Sequence, residues 1–207
     1  SSTNDGGIGM LQALGVKLLN KNGDSVAFGG KGLCEISTIN TTNLDHRIYE
    51  SEFLIATDVQ NPLIGENGAT KVFGPQKGAT PEMIDLLEKG MIKWANLVES
   101  KMGIRLHDIA GAGTAGGIGG AFLAFFPSKI KRGIDIVIEY SGLKNALPST
   151  DIVITGEGQI DFQTASGKTP MGVAQEAWKK GIPTIVLTGS IGEGIDTLYQ
   201  NGIQSIH

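Results

Sequence analysis

The sequence predicts an α/β protein in two parts, with a parallel sheet in its C-terminal quarter. The run Ile152–Thr155 is wholly β-branched and lacks polar alternation, the pattern of a parallel strand covered on both faces. A second run, Thr184-Ile-Val-Leu-Thr188, follows after a helix-like stretch from about Pro170 to Lys180. Strand, helix and strand in that order form a βαβ unit, parallel and right-handed. Between Gly142 and Asp151 the pattern breaks around Pro148, which divides the chain into residues 1–148 and 149–207.

The elements follow in order. Asp5 can cap a helix expected to reach Leu19, with Met10, Leu11, Leu14 and Leu18 three or four residues apart. Asn22-Gly23 is a turn. Glu52–Thr57 is a short apolar strand that ends on Asp58, close to Asn61-Pro62. Thr80-Pro81-Glu82 starts a helix with Pro at its first position, and Ile84, Leu87, Met91, Trp94 and Leu97 continue its apolar face. Ile118–Phe126 reads as a helix of small residues that packs closely. Asp135–Glu139 suits a strand or a helix start equally.

Composition excludes several partners. The 21 acidic and 17 basic residues are interspersed with no polybasic run, which argues against nucleic acid and anionic membrane. The longest apolar run, Ala121–Phe126, is far short of a membrane span. One cysteine, Cys34, excludes an internal disulfide and fits a reducing, cytoplasmic setting. As a half-buried thiol it needs no chemical role. His46, His107 and His207 lie apart without metal-ligand spacing and are expected at the surface. The first residue is Ser1, not Met, and the chain opens directly on a polar motif, so it reads as a portion of a longer protein. The 31 glycines cluster between the periodic segments, where backbone packs closely or a helix begins.

The most informative stretch is Asp151–Pro170. After the β-branched run comes Gly156-Glu157-Gly158, where backbone can turn tightly and approach an anion. Gln159, Asp161, Gln163, Thr164, Ser166 and Lys168 follow, and helix-like sequence resumes at Thr169-Pro170. Ligands of open α/β sheets bind at the carboxyl ends of strands, so this loop is a phosphate-handling site in outline. Two nearby patterns are weaker. Ser166-Gly167-Lys168-Thr169 resembles the end of a P-loop, but its first glycine would fall on Phe162. Gly111-Ala-Gly113-Thr-Ala-Gly116 matches a dinucleotide fingerprint, yet the preceding Arg105–Ala110 is polar and poor in strand formers.

The candidate chemistry is phosphoryl transfer to an alcohol, which asks for positioning and electrostatics. It needs a carboxylate to hold Mg²⁺ or accept the hydroxyl proton, a cation for the developing charge, and backbone amides around phosphate. Glu157 and Asp161 are the foremost carboxylates and the expected Mg²⁺ ligands; Asp5 and Asp58 are further candidates. Lys168 is the expected catalytic cation. Lys77, Asn4, Asn61, Ser166 and the backbone at Gly111, Gly113, Gly156 and Gly158 are expected to bind substrate or phosphate. Each has a plainer reading: Asp5 as a helix cap, Asn61 as a turn former before Pro62, the lysines as solvated loop charges.

Five motifs then align with a known family. Ser2-Thr3-Asn4-Asp5-Gly6-Gly7, Asp58-Val59-Gln60-Asn61-Pro62, Phe73-Gly74-Pro75-Gln76-Lys77-Gly78, Gly111–Gly117 and Thr155–Asp161 with Gly167-Lys168 together resemble the bacterial glycerate kinase type I family. They keep the family's order and cover essentially the whole chain. The resemblance implies transfer of the ATP γ-phosphate to a hydroxyl of D-glycerate. It also implies a flavodoxin-like parallel sheet, here partial (149–207), and an inserted α/β domain likened to restriction endonucleases (1–148) in a longer protein. A homo-oligomer is compatible with this reading. The alternatives are a non-catalytic nucleotide- or carbohydrate-binding module and a kinase for another small hydroxy acid.

Overall fold

The chain is a mixed α/β protein, and the computed structural model describes residues 1–162, 164 and 168–207. They form two units, Ser1–Ile130 and Lys131–His207. The first contains α1 (Ile8–Ala13), β1 (Lys17–Leu19), β2 (Thr38–Asn40), β3 (Phe53–Ala56), α2 (Ala69–Phe73), α3 (Pro81–Met102), α4 (Thr114–Phe125) and β4 (Ser128–Lys131), whose last residue opens the second unit. No helix among the described residues is long and apolar enough to cross a membrane.

Helix α3 follows the expected pattern. The Thr80 hydroxyl accepts from the Met83 amide at 3.3 Å, Pro81 takes the first helical position, and Gly103 ends the helix at φ 72°. The face carrying Met91, Trp94, Ala95 and Val98 is fully buried. Trp94 stacks on Phe125 with centroids 6.0 Å apart, and Phe53 packs on Phe122 and Phe126 at 5.6 and 5.1 Å. Truncating a buried aromatic of this kind to alanine costs about 3–5 kcal/mol.

Two expectations fail in this unit. The first helix ends at Ala13 instead of reaching Leu19. Gly15 adopts φ 98°, and a Cβ there would lie 2.0 Å from the Asn43 carbonyl oxygen. The chain turns at that contact, and Lys17–Leu19 instead pairs antiparallel with Thr38–Asn40. Leu14 and Leu18 fit helical spacing, but the turn at Gly15 overrides it. His107 is also not a surface residue: it is 8% exposed, with Nε2 2.8 Å from Asn96 Oδ1.

The second unit contains α5 (Gly133–Tyr140), α6 (Leu143–Ala146), β5 (Val153–Ile160), α7 (Thr169–Trp178), β6 (Thr184–Ile191), α8 (Asp196–Tyr199) and β7 (Ile203–Ile206). The ambiguous Asp135–Glu139 is helical, because Ile134 and Ile138 bury one turn apart on one face. Strands β5, β6 and β7 form a parallel sheet in that order, with Val153 opposite Thr184 and Thr184 opposite Ile203. Met171 and Ala174 of α7 pack with Ile160, Val186, Leu198 and Ile203, and Ala177 packs with Leu147, Val153 and Ile182. The expected burial of β5 on both faces does not hold. Ile154 is 64% exposed and Leu187 is 52% exposed. Strand alternation turns their side chains away from α7.

Candidate active site

In the first unit, three of the five motifs converge on close backbone contacts at glycines. The Gly6 amide donates to the Gly116 carbonyl at 2.9 Å. A Cβ on Gly116 would lie 2.1 Å from the Thr3 carbonyl oxygen, and one on Gly117 would lie 2.7 Å from Gly6 Cα. Gly113 donates to the Asn61 carbonyl at 3.0 Å, and a Cβ there would come 2.2 Å from the Pro62 carbonyl oxygen. Gly111 takes φ 83° and a Cβ on it would lie 3.2 Å from Ile130. The Gly111–Gly117 loop thus holds both the Ser2–Gly7 segment and the Asp58–Pro62 segment. The sequence makes a dinucleotide loop the weaker reading, and among the described residues the loop follows α3 with no strand between them.

This loop also carries strain. Ala115, Gly116 and Gly117 take φ values of 53°, 68° and 96° in succession at the start of α4. Ala115 is the non-glycine residue at positive φ among the described residues. A left-handed alanine costs about 1–2 kcal/mol, and such outliers gather at ligand sites. Ala115 lines a cavity of about 290 Å³ together with Ser1, Val59, Phe73, Gln76, Lys77 and Thr114. Thr114 Oγ1 lies 3.0 Å from Thr57 Oγ1, which in turn accepts from the Val59 amide at 3.0 Å.

Lys77 is the cation of this cavity. Its Nζ donates to the Thr3 carbonyl oxygen at 2.7 Å and lies 6.0 Å from the Phe73 ring centroid. Burial pushes its pKa below the ordinary lysine value. Among the described residues no carboxylate pairs with it within ion-pair distance. Lys77 also lines a second cavity, of about 240 Å³, with Asn4, Gly30, Gly74 and Gly78. Asn4 donates to Thr70 Oγ1 at 3.0 Å, while its Oδ1 is buried without a hydrogen-bond partner among the described residues.

The other candidates in this unit are engaged locally. The Asp5 carboxylate accepts from the Gly7 and Gly9 amides at 2.9 and 3.1 Å and is 8% exposed; it steadies the start of α1 from two residues before Gly7, which takes the N-cap position expected of Asp5. Asn61 donates to the Asn67 carbonyl oxygen at 2.8 Å. Asp58 is exposed just beyond β3.

In the second unit the expected loop at Gly156 is strand. Strand β5 runs unbroken to Ile160, and Gly156 and Glu157 pair with Leu187 and Thr188 of β6. Gly156, and Gly189 on the neighbouring strand, serve close strand packing there, whereas a Cβ on Gly158 would meet open space. A Cβ on Gly156 would lie 2.7 Å from the Leu187 carbonyl oxygen, and one on Gly189 would lie 3.0 Å from the Gly158 carbonyl oxygen. Glu157 keeps one carboxylate oxygen, Oε2, buried without a hydrogen-bond partner among the described residues. A buried carboxylate oxygen without a donor is costly unless something positive or hydrogen-bonding meets it.

Asp161 stands just past the carboxyl end of β5. Its amide donates to Thr164 Oγ1 at 3.2 Å, and the Thr164 amide returns to the Asp161 carbonyl oxygen at 3.0 Å. Lys168 is half-buried immediately before α7. Ser166 lies outside the described residues. No cluster of three His, Cys, Asp or Glu side chains suited to a metal occurs among the described residues. Two carboxylates do suit Mg²⁺, which commonly takes one or two together with substrate phosphates.

Sequence reasoning did not single out Thr57, Thr114, Phe73 or Gln76. The threonine pair was detectable in principle, as one hydroxyl inside the Gly111–Gly117 loop and one directly before Asp58. Nothing in the sequence joins those two positions, 57 residues apart.

The fold is mixed α/β, with a lysine-bearing cavity against glycine-rich loops in the first unit and, in the second, Glu157 within a parallel strand and Asp161 just past its end. The chain is a member of the Glycerate kinase family, whose profile matches residues 1–207. It is 45% identical over 206 residues to a glycerate kinase of Bacillus subtilis, covering 100% of this chain and 54% of the relative. It is 42% identical to a glycerate 2-kinase of Escherichia coli, again covering 100% and 54%. A crystal structure assigned as a glycerate kinase 2 from Salmonella typhimurium LT2 is similar with a TM-score of 0.88 and 43% identity, covering 100% of this chain and 54% of that one. The chain therefore spans about half the length of the relatives it matches.

Proposed function

We propose that this chain carries part of the machinery of an ATP-dependent glycerate kinase, which transfers a phosphoryl group to a hydroxyl of D-glycerate and gives phosphoglycerate. The observation that carries the reading is the Lys77 cavity, because motifs distant in sequence supply its walls and the family membership gives it a context. Named glycerate kinases at 42–45% identity over the whole chain support it.

In this reading Asp161 and Glu157 face the phosphoryl donor. Asp161 accepts the proton of the attacking hydroxyl or joins Glu157 in holding Mg²⁺. Glu157 Oε2, buried without a donor among the described residues, suits a cation. Bound Mg²⁺ would neutralise phosphate charge as the phosphoryl group moves. Lys168 supplies a point cation to that group, with Gly156, Gly158 and Ser166 beside it. Asn4, Asp58, Asn61, Gly111 and Gly113 shape the acceptor side, and Asp5 fixes the Gly6-Gly7 turn through its two amide contacts. Residues 149–207 would be part of a flavodoxin-like sheet, and 1–148 an inserted domain. The cytoplasmic setting inferred from the single cysteine belongs to the same reading.

The test is an assay of the full-length protein with ATP and a panel of small hydroxy acids, following ADP and phosphorylated product. D-glycerate should be the best acceptor by kcat/KM. A protein that hydrolyses or transfers nothing from ATP with any acid of the panel contradicts the reading.

A further inference from the structure

The chain contains three Asn-Gly steps, Asn22-Gly23, Asn67-Gly68 and Asn201-Gly202, and the fold treats them differently. An asparagine before glycine is open to attack on its side-chain amide by the next backbone nitrogen, because glycine has no Cβ to shield that nitrogen or to restrict its turning. The attack needs a side chain free to swing over the following peptide and a peptide free to rotate. At Asn67 the peptide is fixed. Its carbonyl oxygen accepts from the Asn61 side chain at 2.8 Å, and the Gly68 amide donates to the Gly65 carbonyl oxygen at 2.8 Å. Gly68 is packed so closely that a Cβ would lie 2.5 Å from the Ile64 carbonyl carbon. At Asn201 the side chain is committed: its Nδ2 donates to the Thr197 carbonyl oxygen at 2.6 Å. Gly202 lies against Trp178, where a Cβ would come within 2.8 Å of Trp178 Cβ. Asn22 differs from both. It is exposed, and its side chain makes no hydrogen bond among the described residues. Gly23 takes φ 89°, with no atom within 4 Å of the point a Cβ would occupy.

We propose that Asn22 is a site of spontaneous covalent modification, deamidating through a cyclic imide while the other two Asn-Gly steps are protected by the fold. The inference is independent of the phosphoryl-transfer reading. The Gly23 nitrogen gives up its proton to hydroxide and attacks Asn22 Cγ. A C–N bond forms there, the Cγ–Nδ2 bond breaks, and the side-chain nitrogen leaves as ammonia. Water then opens the imide at either carbonyl, giving aspartate, or isoaspartate in which the main chain runs through the side-chain carbon. One water is consumed and one ammonia released, and nothing is oxidised or reduced. The contact that opposes the attack is the Gly23 amide to the Asn20 carbonyl oxygen at 3.1 Å, which water replaces at little cost in an exposed turn. Asn20 otherwise holds the turn in shape, its Oδ1 accepting from the Asn22 and Asp24 amides at 2.8 and 3.0 Å. Both products put a new carboxylate close to Asp24, and isoaspartate also lengthens the backbone between these two amides. The disturbance stops at the turn. Leu19 bridges to Ser25, and the Val26 amide donates to the Leu18 carbonyl oxygen at 3.0 Å, with both Leu18 and Val26 buried.

The experiment incubates the full-length protein at neutral and at mildly alkaline pH, folded and in denaturant. Peptide mapping by mass spectrometry follows the change from amide to acid at Asn22, Asn67 and Asn201, and enzymatic methylation of isoaspartyl carboxylates identifies the rearranged product. In the folded protein Asn22 should react at least about tenfold faster than either of the others, the factor that about 1.4 kcal/mol of local opening imposes on them. In denaturant the three rates should converge, because the local step is the same and only the fold separates them. The rate at Asn22 should rise with pH, since the attacking nitrogen must lose its proton. Gly23→Ala should slow the reaction by restoring a Cβ beside that nitrogen. As alanine is strained at this φ, a second variant, Asn22→Gln, leaves the backbone residue types of the turn in place and lengthens the side chain; it should give no product over the same period. Thermal melts report folding of both variants. Deamidation at Asn67 or Asn201 as fast as at Asn22 in the folded protein, or a rate at Asn22 that does not rise with pH, overturns the proposal.

Discussion

The Thr3 carbonyl oxygen accepts from Lys77 Nζ at 2.7 Å and sits where a Cβ on Gly116 would come within 2.1 Å. One backbone atom thereby joins the Ser2–Gly7, Phe73–Gly78 and Gly111–Gly117 motifs. The lysine is placed by a neutral acceptor, so its charge is not cancelled on the way into the cavity. The glycine is required because the same carbonyl must lie against the left-handed turn.

Gly116→Ala should cost at least about 2 kcal/mol of stability, since it combines overlap with backbone and a left-handed alanine. Gly142→Ala is the control. Gly142 has φ 77°, but no atom lies within 4 Å of the point a Cβ would occupy, so only the conformational cost of about 1 kcal/mol applies. Urea unfolding of the two variants decides it, and equal losses would mean that the Thr3 contact is not a constraint.

Asp5→Ala should lose about 1–2 kcal/mol, because the buried Gly7 amide and the Gly9 amide both lose their acceptor. Asp5→Asn keeps one acceptor oxygen and should lose less. Thermal melts read both variants. An Asp5→Ala protein as stable as the wild type would show that these two contacts do not hold the start of α1.

Much of this was legible in the sequence where local signals agree with packing. Thr80, Pro81 and the α3 stripe at Met91 and Trp94 gave cap, start and buried face together. The βαβ order of β5, α7 and β6 followed from two β-branched runs and Pro170. Where signals were local and the deciding contact distant, reading failed. Leu14 and Leu18 suggest helix until Gly15 meets Asn43. Gly156-Glu157-Gly158 suggests a loop, yet the segment is strand, and Gly156 lies close against β6 backbone. The cavity was half legible: Lys77 and the glycines stood out, but the Thr57–Thr114 pair depends on a fold contact that no spacing reveals.

Asp45 gives a pH-dependent prediction. The Arg47 guanidinium beside it, followed by the Arg47 amide, holds its carboxyl down to about 2. A carboxyl with a lowered folded pKa contributes stability above its unfolded value, and that contribution disappears as pH falls through the folded value. The affected window therefore lies between the ordinary aspartate value, about 3.9, and about 2. Arg47→Ala should return the Asp45 titration, followed by carboxyl NMR shifts, toward the ordinary range. An unchanged midpoint in that variant would show that Arg47 is not the cause.

The most direct test of the account is steady-state kinetics of Asp161→Asn in the full-length protein, with ATP and D-glycerate as substrates and a thermal melt as the folding control. Loss of a general base or Mg²⁺ ligand commonly costs roughly 10²–10⁴-fold, so kcat/KM should fall at least about a hundredfold while the melt stays near that of the wild type. A folded Asp161→Asn enzyme within about twofold of wild-type kcat/KM, a difference well under about 1 kcal/mol, would contradict the assignment of phosphoryl transfer to the end of β5.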